Sequence, residues 1–212
     1  MNVSRIGVSI PILLVALGIN SFAFAQQEEE GKGGYVGFGI GESSVDLSVS
    51  DFDDGSITSG SVDDTDTSWK LFGGYGFNKY FAVEGGYADL GKATFSGISN
   101  GFGFLYFPGS VNIDVETTSF FADMVGIIPF NKWALFGKIG FHKWDAKVTV
   151  ANGPVAGSAD DDGTDAHYGL GFEFRPSERW GIRGEWEVFT DVLDEDVQLL
   201  SVSGVYKFGS AR

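Results

Sequence analysis

The sequence predicts an all-β protein, an eight-stranded antiparallel up-and-down β-barrel that spans a membrane. Three observations support this fold class. The chain opens with a leader typical of exported proteins, eight later segments alternate apolar or aromatic residues with small or charged ones, and the connections between these segments are alternately short and long. The 32 glycines also disfavour helices, since an interior Gly costs a helix about 1 kcal/mol relative to Ala, whereas the many aromatic residues suit strands.

The leader has the features of a cleaved secretory signal peptide. Arg5 supplies a positive charge, residues 6–19 form an apolar run, and Ala23-Phe24-Ala25 has the small-x-small pattern of a cleavage site. A retained anchor is the weaker alternative, because the run is shorter than the roughly 20 residues that span a bilayer as a helix. We therefore expect a signal peptide at 1–25, a short N-terminal segment at 26–33, the barrel at 34–209 and a C-terminal tail at 210–212.

Composition excludes several classes of protein. The chain has no cysteine, so it can form neither disulfides nor thiolate-ligated metal sites. Its formal charge is −15, or −16 (−15 − 1) once the leader with Arg5 is removed, which disfavours nucleic acid as a partner. Beyond the leader, no run of some 20 apolar residues predicts a transmembrane helix. A membrane interpretation must therefore rest on alternating strands.

The first four segments are 35–45, 68–77, 80–90 and 116–128. Each has roughly the 9 to 13 positions that a tilted strand needs to cross the hydrocarbon layer, and each has one predominantly apolar face. On opposite faces lie Phe38 and Gly39 in the first segment, Leu71 and Lys70 in the second, Val83 and Glu84 in the third, and Phe120 and Ser119 in the fourth.

The last four segments, 133–146, 166–174, 180–189 and 197–208, follow the same pattern. Ile139 opposes Lys138 in the fifth, Leu170 opposes Gly169 in the sixth, Ile182 opposes Arg183 in the seventh, and Val202 opposes Ser203 in the eighth. Aromatic residues near segment ends fit the girdles that such barrels carry at the two membrane interfaces; these residues are Trp69, Tyr80, Trp133 and Trp180.

The charged face of each segment is expected to point into the barrel, because a Lys or Arg on the lipid face near the midplane costs about 2 to 4 kcal/mol. A soluble barrel of the lipocalin type would instead turn its apolar face inward. The interior of an eight-stranded barrel is just wide enough for side chains to fill it, so these charges should pair. The predicted structural network in the lumen consists of Lys70, Glu84, Asp123, Lys138, Glu173, Arg183, Glu185, Glu187 and Lys207.

The connections predict the orientation of the barrel. Short ones occur at 78–79, 129–132 and 175–179, and long ones at 47–67, 91–115, 147–165 and 190–196. Outer-membrane barrels have short periplasmic turns and longer extracellular loops. We therefore expect the amino terminus in the periplasm and the long connections outside the cell.

Four Gly-aromatic motifs carry a resemblance to a known family: Gly34-Tyr35-Val36-Gly37-Phe38-Gly39-Ile40-Gly41, Phe72-Gly73-Gly74-Tyr75-Gly76-Phe77, Val83-Glu84-Gly85-Gly86-Tyr87, and Gly204-Val205-Tyr206-Lys207-Phe208-Gly209. Over 33–209 the chain resembles the OmpA-like transmembrane domain and related small outer-membrane barrels of Gram-negative bacteria.

The resemblance implies a location in the outer membrane and lumen salt bridges that involve Glu84 and Arg183, with Lys138 at the place of another inward basic residue. It also implies that Tyr206 and Phe208 form the signal read by the barrel-assembly machinery, although four residues follow Phe208. The sequence has no counterpart of the peptidoglycan-binding domain that follows the barrel in OmpA itself, so cell-wall anchoring is not expected.

The two histidines, His142 and His167, are predicted to face the lumen near the outer ends of adjacent strands. With Asp145 and Asp165 they are candidates for a metal site or an acid-base group. We favour hydrogen-bonded residues of the rim, because no ligand spacing supports chemistry. Lipid A deacylases place a Ser, a His and an acidic residue on the membrane face, whereas here both histidines face inward. The prediction is therefore a protein that is not an enzyme and needs no cofactor or metal.

The long connections carry most of the negative charge. We expect solvated, flexible loops, with divalent-cation binding as the alternative. The second connection differs because it contains an apolar cluster. This cluster either extends the hairpin and packs locally or forms an exposed apolar surface that binds a partner or lipid. The acidic residues are Asp51, Asp53, Asp54, Asp63, Asp64 and Asp66 in the first connection, Asp160, Asp161, Asp162 and Asp165 in the third, and Asp191, Asp194, Glu195 and Asp196 in the fourth, and the apolar cluster is Phe102, Phe104, Leu105, Tyr106 and Phe107.

These observations favour a monomeric, non-enzymatic outer-membrane barrel that contributes to envelope integrity or to surface adhesion through its extracellular loops. The alternative is a narrow channel or a small-ligand transport barrel, and a lipid-modifying enzyme is less favoured. Expected partners are outer-membrane lipid and lipopolysaccharide, the barrel-assembly machinery, and a host or phage ligand at the loops. Architecture alone does not separate adhesion from scaffolding.

Overall fold

The computed structural model describes residues 31–208, so the predicted signal peptide and the C-terminal tail lie outside the described residues. No helix in this part of the chain is long and apolar enough to cross a membrane. The regular elements are strands, with one short 3-10 helix at Val49–Phe52. The strands are β1 (Gly33–Val45), β2 (Ile57–Asp63), β3 (Thr65–Gly76), β4 (Phe81–Ser99), β5 (Gly109–Phe130), β6 (Trp133–Asn152), β7 (Val155–Phe174), β8 (Trp180–Val192) and β9 (Glu195–Phe208).

Eight of these strands form a closed antiparallel ring in the order β1-β3-β4-β5-β6-β7-β8-β9, and β9 pairs back with β1. The closing pair runs from Gly34 opposite Phe208 to Val45 opposite Val197. Each of the eight predicted segments coincides with part of one strand of the ring, to within one residue at its ends, so the predicted fold class is confirmed. The ninth strand, β2, lies in the first long connection and pairs only with the outer half of β4.

The alternation of the two faces also follows the prediction. Phe38, Met124 and Leu200 point outward and are 53%, 69% and 66% exposed, whereas Lys70 and Phe72 point inward and are buried. Val188 departs from the pattern, because it was predicted on the apolar outer face but is only 3% exposed. It lies between its strand partners Tyr168 and Gln198, which flank it on either side.

Two connections that were predicted to be long loops are instead mainly paired strand. β4 and β5 stay paired as far as Ser99 opposite Gly109, and β6 and β7 as far as Asn152 opposite Val155. The fourth connection was also predicted to be long, but it is a two-residue turn at Leu193 and Asp194, whose φ angles are 53° and 72°. The predicted segments end where the apolar face ends, whereas backbone pairing needs no apolar face and continues where the outer face becomes polar.

Residues on β6 show where the outer face changes from apolar to polar. Phe141 is outward-facing and exposed, and the next outward residue, Lys143, forms a surface ion pair with Asp162 at 3.4 Å. On β5 the outer face changes from apolar to polar at the same height. Phe120, the last apolar residue there, is paired with Lys143, and the next outward residue toward the hairpin end is the polar Thr118. The ring therefore consists of an apolar belt and a polar hairpin end, while the short turns lie at the opposite, turn end.

A β-bulge in β4 explains why the alternation could not be followed beyond Leu90. Asp89 pairs with Thr118 and Lys92 with Glu116, so β4 carries one extra residue there. Gly91 occupies the bulge with φ of 74°. Even-numbered residues such as Leu90 face inward before the bulge, and odd-numbered residues such as Phe95 do so after it.

The interior contains two hydrophobic clusters. One fills the ring and includes Tyr35, Phe121 and Phe189. The other lies at the hairpin end around Phe95, against which the first connection packs through Val49 and Phe52. The rings of Phe52 and Phe95 stack with centroids 4.7 Å apart. The first connection is therefore a cover packed on the barrel rather than a free loop, while its Asp51, Asp53 and Asp63 side chains are exposed to solvent, as expected.

Candidate functional site

A layer of buried charges crosses the middle of the ring. Lys138 contacts Glu84, Glu185 and Glu187, with Nζ to carboxylate oxygen distances of 3.3, 3.0 and 2.6 Å. Lys70 Nζ lies 2.7 Å from Glu185 and also contacts Glu187. These side chains are inaccessible to solvent. Each ammonium thus meets at least two carboxylates, an arrangement that offsets the cost of burying the charges.

Arg183 connects this layer to the turn end of the lumen. Its Nη1 donates to Glu84 at 2.6 Å, and its Nε and Nη2 donate to one oxygen of Glu173 at 3.2 and 3.1 Å. The phenol of Tyr35 donates to the same Glu84 oxygen at 2.9 Å. The guanidinium also lies over the ring of Phe136, 4.7 Å from its centroid, a favourable cation–π geometry.

The remaining predicted lumen charges lie at the two margins of the layer. Lys207 approaches Glu173 at 3.7 Å from the turn end and is partly exposed. Asp123 lies toward the hairpin end and contacts His167 Nδ1 at 2.9 Å. The structure thus places all nine predicted side chains on the inner face. Eight of them are connected to one another by ion pairs with shared partners. The ninth, Asp123, is linked to them through His167, which contacts both Asp123 and Glu187.

The two histidines form a polar layer above the charges. His142 Nε2 lies 3.0 Å from the carbonyl of Thr190, and its Nδ1 lies 3.0 Å from Ser119 Oγ. Because a carbonyl only accepts, the proton of neutral His142 belongs on Nε2 and the Ser119 hydroxyl donates to Nδ1. The His142 and His167 rings are 6.2 Å apart between centroids, so the predicted approach of the two residues occurs.

The predicted position of the histidines at the rim was wrong. Both are buried, because the strands that carry them continue well beyond them toward the hairpin end. Asp165 accepts a hydrogen bond from the Trp144 indole at 2.8 Å, and Asp145 is exposed on the outer face. Within residues 31–208 no group of three or more potential metal ligands occurs. Ser119 is also buried, so its hydroxyl has no access to a substrate from solvent.

Sequence reasoning missed the apolar upper half of the lumen. Many inward residues in this half are aliphatic or aromatic and buried, beside a few polar ones such as Thr117 and Asp165. The signal was available on β9, where Val197 and Leu199 share a face with Ser203, which was predicted to oppose the lipid-facing Val202. Buried apolar residues that continue from the histidine layer toward the hairpin end include Leu90, Phe189, Val192, Val197 and Leu199.

The hairpin end carries an exposed apolar tip between β4 and β5, formed by Phe102, Phe104, Leu105 and Phe107. Phe102 and Phe104 are 89% and 101% exposed. The fifth residue of the predicted cluster, Tyr106, packs instead against the cluster around Phe95. Both alternatives for the second connection therefore hold in part, since the hairpin extends and its tip stays exposed.

Two side chains hold this tip in place. Asn152 accepts from the Phe107 N–H at 2.5 Å and donates to the Phe107 carbonyl at 3.1 Å. The Asp54 carboxylate accepts from the Leu105 N–H at 2.7 Å and from the Ser56 hydroxyl at 2.6 Å. These hydrogen bonds lower the pKa of Asp54. The bond from the Ser56 hydroxyl has the largest effect, followed by the bond from the Leu105 N–H.

A closed ring of eight antiparallel strands, with an apolar outer belt and a filled, charge-paired interior, defines a transmembrane β-barrel of the outer-membrane class. The chain belongs to the outer membrane protein beta-barrel domain family, whose model matches residues 12–208. It is a protein of the Gram-negative outer membrane, as predicted. Comparison with curated proteins gave no match.

Several solved outer-membrane barrels have the same fold. Ail, the attachment invasion locus protein of Yersinia pestis, is 22% identical, with a TM-score of 0.52 over 84% of this chain and 99% of Ail. OprG from Pseudomonas aeruginosa is 15% identical, with a TM-score of 0.53 over 86% and 99%. Neisserial surface protein A is 12% identical, with a TM-score of 0.51 over 85% and 100%. At these identities the likeness concerns the fold alone.

Proposed function

We propose that this barrel is a non-enzymatic surface protein that attaches the cell to apolar surfaces through the tip of the β4–β5 hairpin. The observation that carries the proposal is the exposure of Phe102, Phe104, Leu105 and Phe107 together at that tip. Exposed apolar groups that cluster in this way are typical of interaction sites. Asp54 and Asn152 accept hydrogen bonds from the Leu105 and Phe107 N–H groups and so hold the backbone of the tip, which means that less conformational entropy is lost on binding.

The reach of the hairpin supports contact with a facing surface rather than with the cell's own membrane. The outer face of β5 changes from apolar to polar at Thr118, and β5 continues for nine more residues to Gly109. At 3.3 Å per residue this extension spans about 30 Å along the strand. With the amino terminus in the periplasm, the tip extends away from the cell.

Charge indicates which kind of partner suits this end. Ail has been solved in complex with the heparin analogue sucrose octasulfate. In the present chain the hairpin end is rich in aspartate, for example at Asp160, Asp161 and Asp162, which disfavours a polyanion. An apolar contact, such as an alkylated surface or the apolar patch of a host protein, suits the tip better.

The filled interior disfavours the two competing functions. A narrow channel would need an open path past Lys70, Lys138 and Arg183, which instead occupy the lumen in mutual contact with carboxylates. We therefore expect no large, steady single-channel currents from the purified protein in planar bilayers. A lipid-modifying enzyme would need its histidine on the membrane face, whereas His142 and His167 are enclosed.

Other partners are also proposed. Lipopolysaccharide is expected around the upper apolar belt, and a phage is a further candidate ligand at the hairpins. Tyr206 and Phe208 lie at the turn end of β9 with ring centroids 5.1 Å apart, an aromatic pair that suits recognition by the barrel-assembly machinery. We expect a monomer.

The test compares bacteria that display the wild-type chain with bacteria that display a variant whose tip is polar, Phe102→Ser/Phe104→Ser/Leu105→Ser/Phe107→Ser. Retention on alkyl-coated beads and on epithelial cell layers should fall to the level of a deletion strain, while detergent resistance stays at the wild-type level. Thr149→Ala/Ser158→Ala changes an outward polar pair on the neighbouring hairpin and serves as the matched control. Unchanged retention in the tip variant, or equal loss in the control, would contradict adhesion by the tip. Loss of detergent resistance alone on gene deletion would indicate a purely structural role.

A further inference from the structure

The hairpin end of the barrel contains a partly open cavity of about 350 Å³. This volume is at the lower end of the range of small-molecule sites, about 300 to 1,000 Å³. β1, β4, β5, β6, the first connection and the β8–β9 turn all contribute to its wall, so the cavity lies in the bore rather than on the side of the barrel. Most of its lining is apolar and includes Leu90, Val115, Val148, Val150, Val192 and Val197.

The charged groups around this cavity are mostly negative. Four carboxylates, those of Asp51, Asp64, Asp66 and Glu195, line it together with a single cation, Lys92. The formal charge of the lining is therefore −3 (four negative, one positive). Lys92 is further neutralised by Asp114, whose carboxylate lies 3.6 Å from Nζ.

Two of the four carboxylates are already engaged by the protein. Asp51 accepts from the backbone N–H and the hydroxyl of Ser48 at 2.7 and 2.8 Å. Asp66 accepts from the N–H groups of Thr67 and Lys92 at 2.7 and 2.9 Å. In contrast, no hydrogen bond or ion pair within the described chain engages the side-chain carboxylates of Asp64 and Glu195, which leaves both able to meet a ligand.

The cavity has a closed floor. Leu90, Val192 and Val197 line it and also belong to the hydrophobic cluster that fills the ring, together with Phe189 and Leu199. The histidine layer and the layer of paired charges lie beyond these residues, toward the turn end of the lumen. A molecule that enters from the hairpin end is therefore held there and does not pass through the barrel.

We propose that this cavity binds a small amphipathic cation, an organic ammonium compound whose apolar body enters the aliphatic bore and whose positive group meets Asp64 and Glu195. The apolar lining favours the body through the burial of its surface. The negative rim selects the charge, because a cation gains from each nearby carboxylate and an anion is repelled. The site is distinct from the apolar tip and does not depend on the adhesive role proposed above.

The experiment uses the mature chain in lipid nanodiscs and three isosteric probes: 4-phenylbutylammonium, 4-phenylbutan-1-ol and 4-phenylbutyrate. Binding is measured by titration calorimetry, with protein-free nanodiscs subtracted to remove partition into lipid. An exposed ion pair contributes about threefold in affinity, so two carboxylates together should make the ammonium bind about tenfold tighter than the alcohol. No binding of the carboxylate probe is expected.

Two pairs of variants locate the site. Asp64→Asn/Glu195→Gln should weaken binding of the ammonium about tenfold, to the affinity of the alcohol, and leave the affinity for the alcohol unchanged. The control, Asp160→Asn/Asp161→Asn, makes the same change in net charge elsewhere on the hairpins. It should alter the affinity for neither probe. Val148→Trp should fill the cavity and abolish binding of both, whereas Thr149→Trp, on the outer face of the same strand, should not.

Equal affinity for the three probes would overturn the proposal, and so would an equal effect of the two charge-neutralising pairs. Binding that survives Val148→Trp would place the ligand elsewhere and would also overturn it. If Val148→Trp does not fold, the Asp64 and Glu195 variant decides the outcome by itself, since both side chains lie at the rim and removal of their charge leaves the core intact.

Discussion

Arg183 and Glu84 join opposite walls of the barrel, through a hydrogen bond of 2.6 Å from Nη1 to Oε2. Arg183 is on β8 and Glu84 on β4, and in the ring these strands are four places apart in either direction. Strand pairing connects only neighbours. The ion pair therefore adds a cross-link through the bore that the backbone does not provide.

Removal of the arginine should destabilise the barrel strongly. Arg183→Met leaves Glu84 and Glu173 buried without their main cation, and loss of one partner from a buried ion pair costs about 3 to 5 kcal/mol. We expect a fall of that size in the free energy of unfolding, measured by urea titration in lipid vesicles with tryptophan fluorescence. Arg179→Met, at an exposed position in the preceding turn, should change it by less than about 0.5 kcal/mol. A small effect of Arg183→Met would show that the network is not structural.

Replacement of the histidine layer should leave the lipids of the membrane unchanged. Ser119→Ala, His142→Gln and His167→Gln should each give the wild-type pattern of lipid A acylation in mass spectra of outer membranes, because these side chains are enclosed in the bore. The comparison strains are a gene deletion and the same strain with the wild-type gene restored. A change in acylation that depends on His142 would show that the protein is an enzyme.

The bulge in β4 should require glycine. In Gly91→Ala the new Cβ would lie 2.8 Å from the Asp66 side chain, at a φ of 74° that L-residues rarely adopt. Such strain costs about 1 to 3 kcal/mol. We expect faster amide hydrogen exchange in the β4–β5 hairpin and its cleavage at lower protease concentration. Gly157→Ala, on the outer part of β7 with open space around its Cβ, should behave as wild type. Identical protection in the two variants would mean that the bulge tolerates a side chain.

The attachment of the apolar tip to the first connection should depend on pH. The pKa of Asp54 is lowered in the folded protein by the Ser56 hydroxyl and the Leu105 N–H. Because the pKa is lower in the folded protein, the contact contributes its full stability above the ordinary carboxyl pKa of about 4. That stability is lost as the pH falls through the lower pKa of the folded state. A spin label at Phe104→Cys, possible because the chain has no cysteine, should therefore become more mobile in that acidic range.

The control for this transition is Asp54→Asn in the same labelled protein. An amide cannot take up the proton, so the mobility of the label should no longer change across that range. Asp51, whose pKa is also lowered, by the backbone N–H and the hydroxyl of Ser48, is unchanged in the control. A transition that persists in Asp54→Asn would belong to Asp51 or another carboxylate and would contradict the role of Asp54.

The sequence by itself determined the ring and its two faces. A strand repeats every two residues, so the position of Lys138 beside Ile139 is enough to assign one to the lumen and the other to lipid, and eight such segments close into one barrel. The same parity assigned all nine lumen charges to the inner face. No information from distant parts of the chain was needed for this step.

Only the tertiary structure decided which charges meet and what lies above them. Arg183 and Glu84 are 99 residues apart, and their contact depends on the width of the closed ring, which alternation does not encode. The bulge at Gly91 reversed the faces of β4, so the inward position of Phe95 could not be read from the pattern before it. The paired hairpins and the cavity between them depend on backbone hydrogen bonds and on packing of the first connection. These interactions form between segments that show no apolar periodicity of their own.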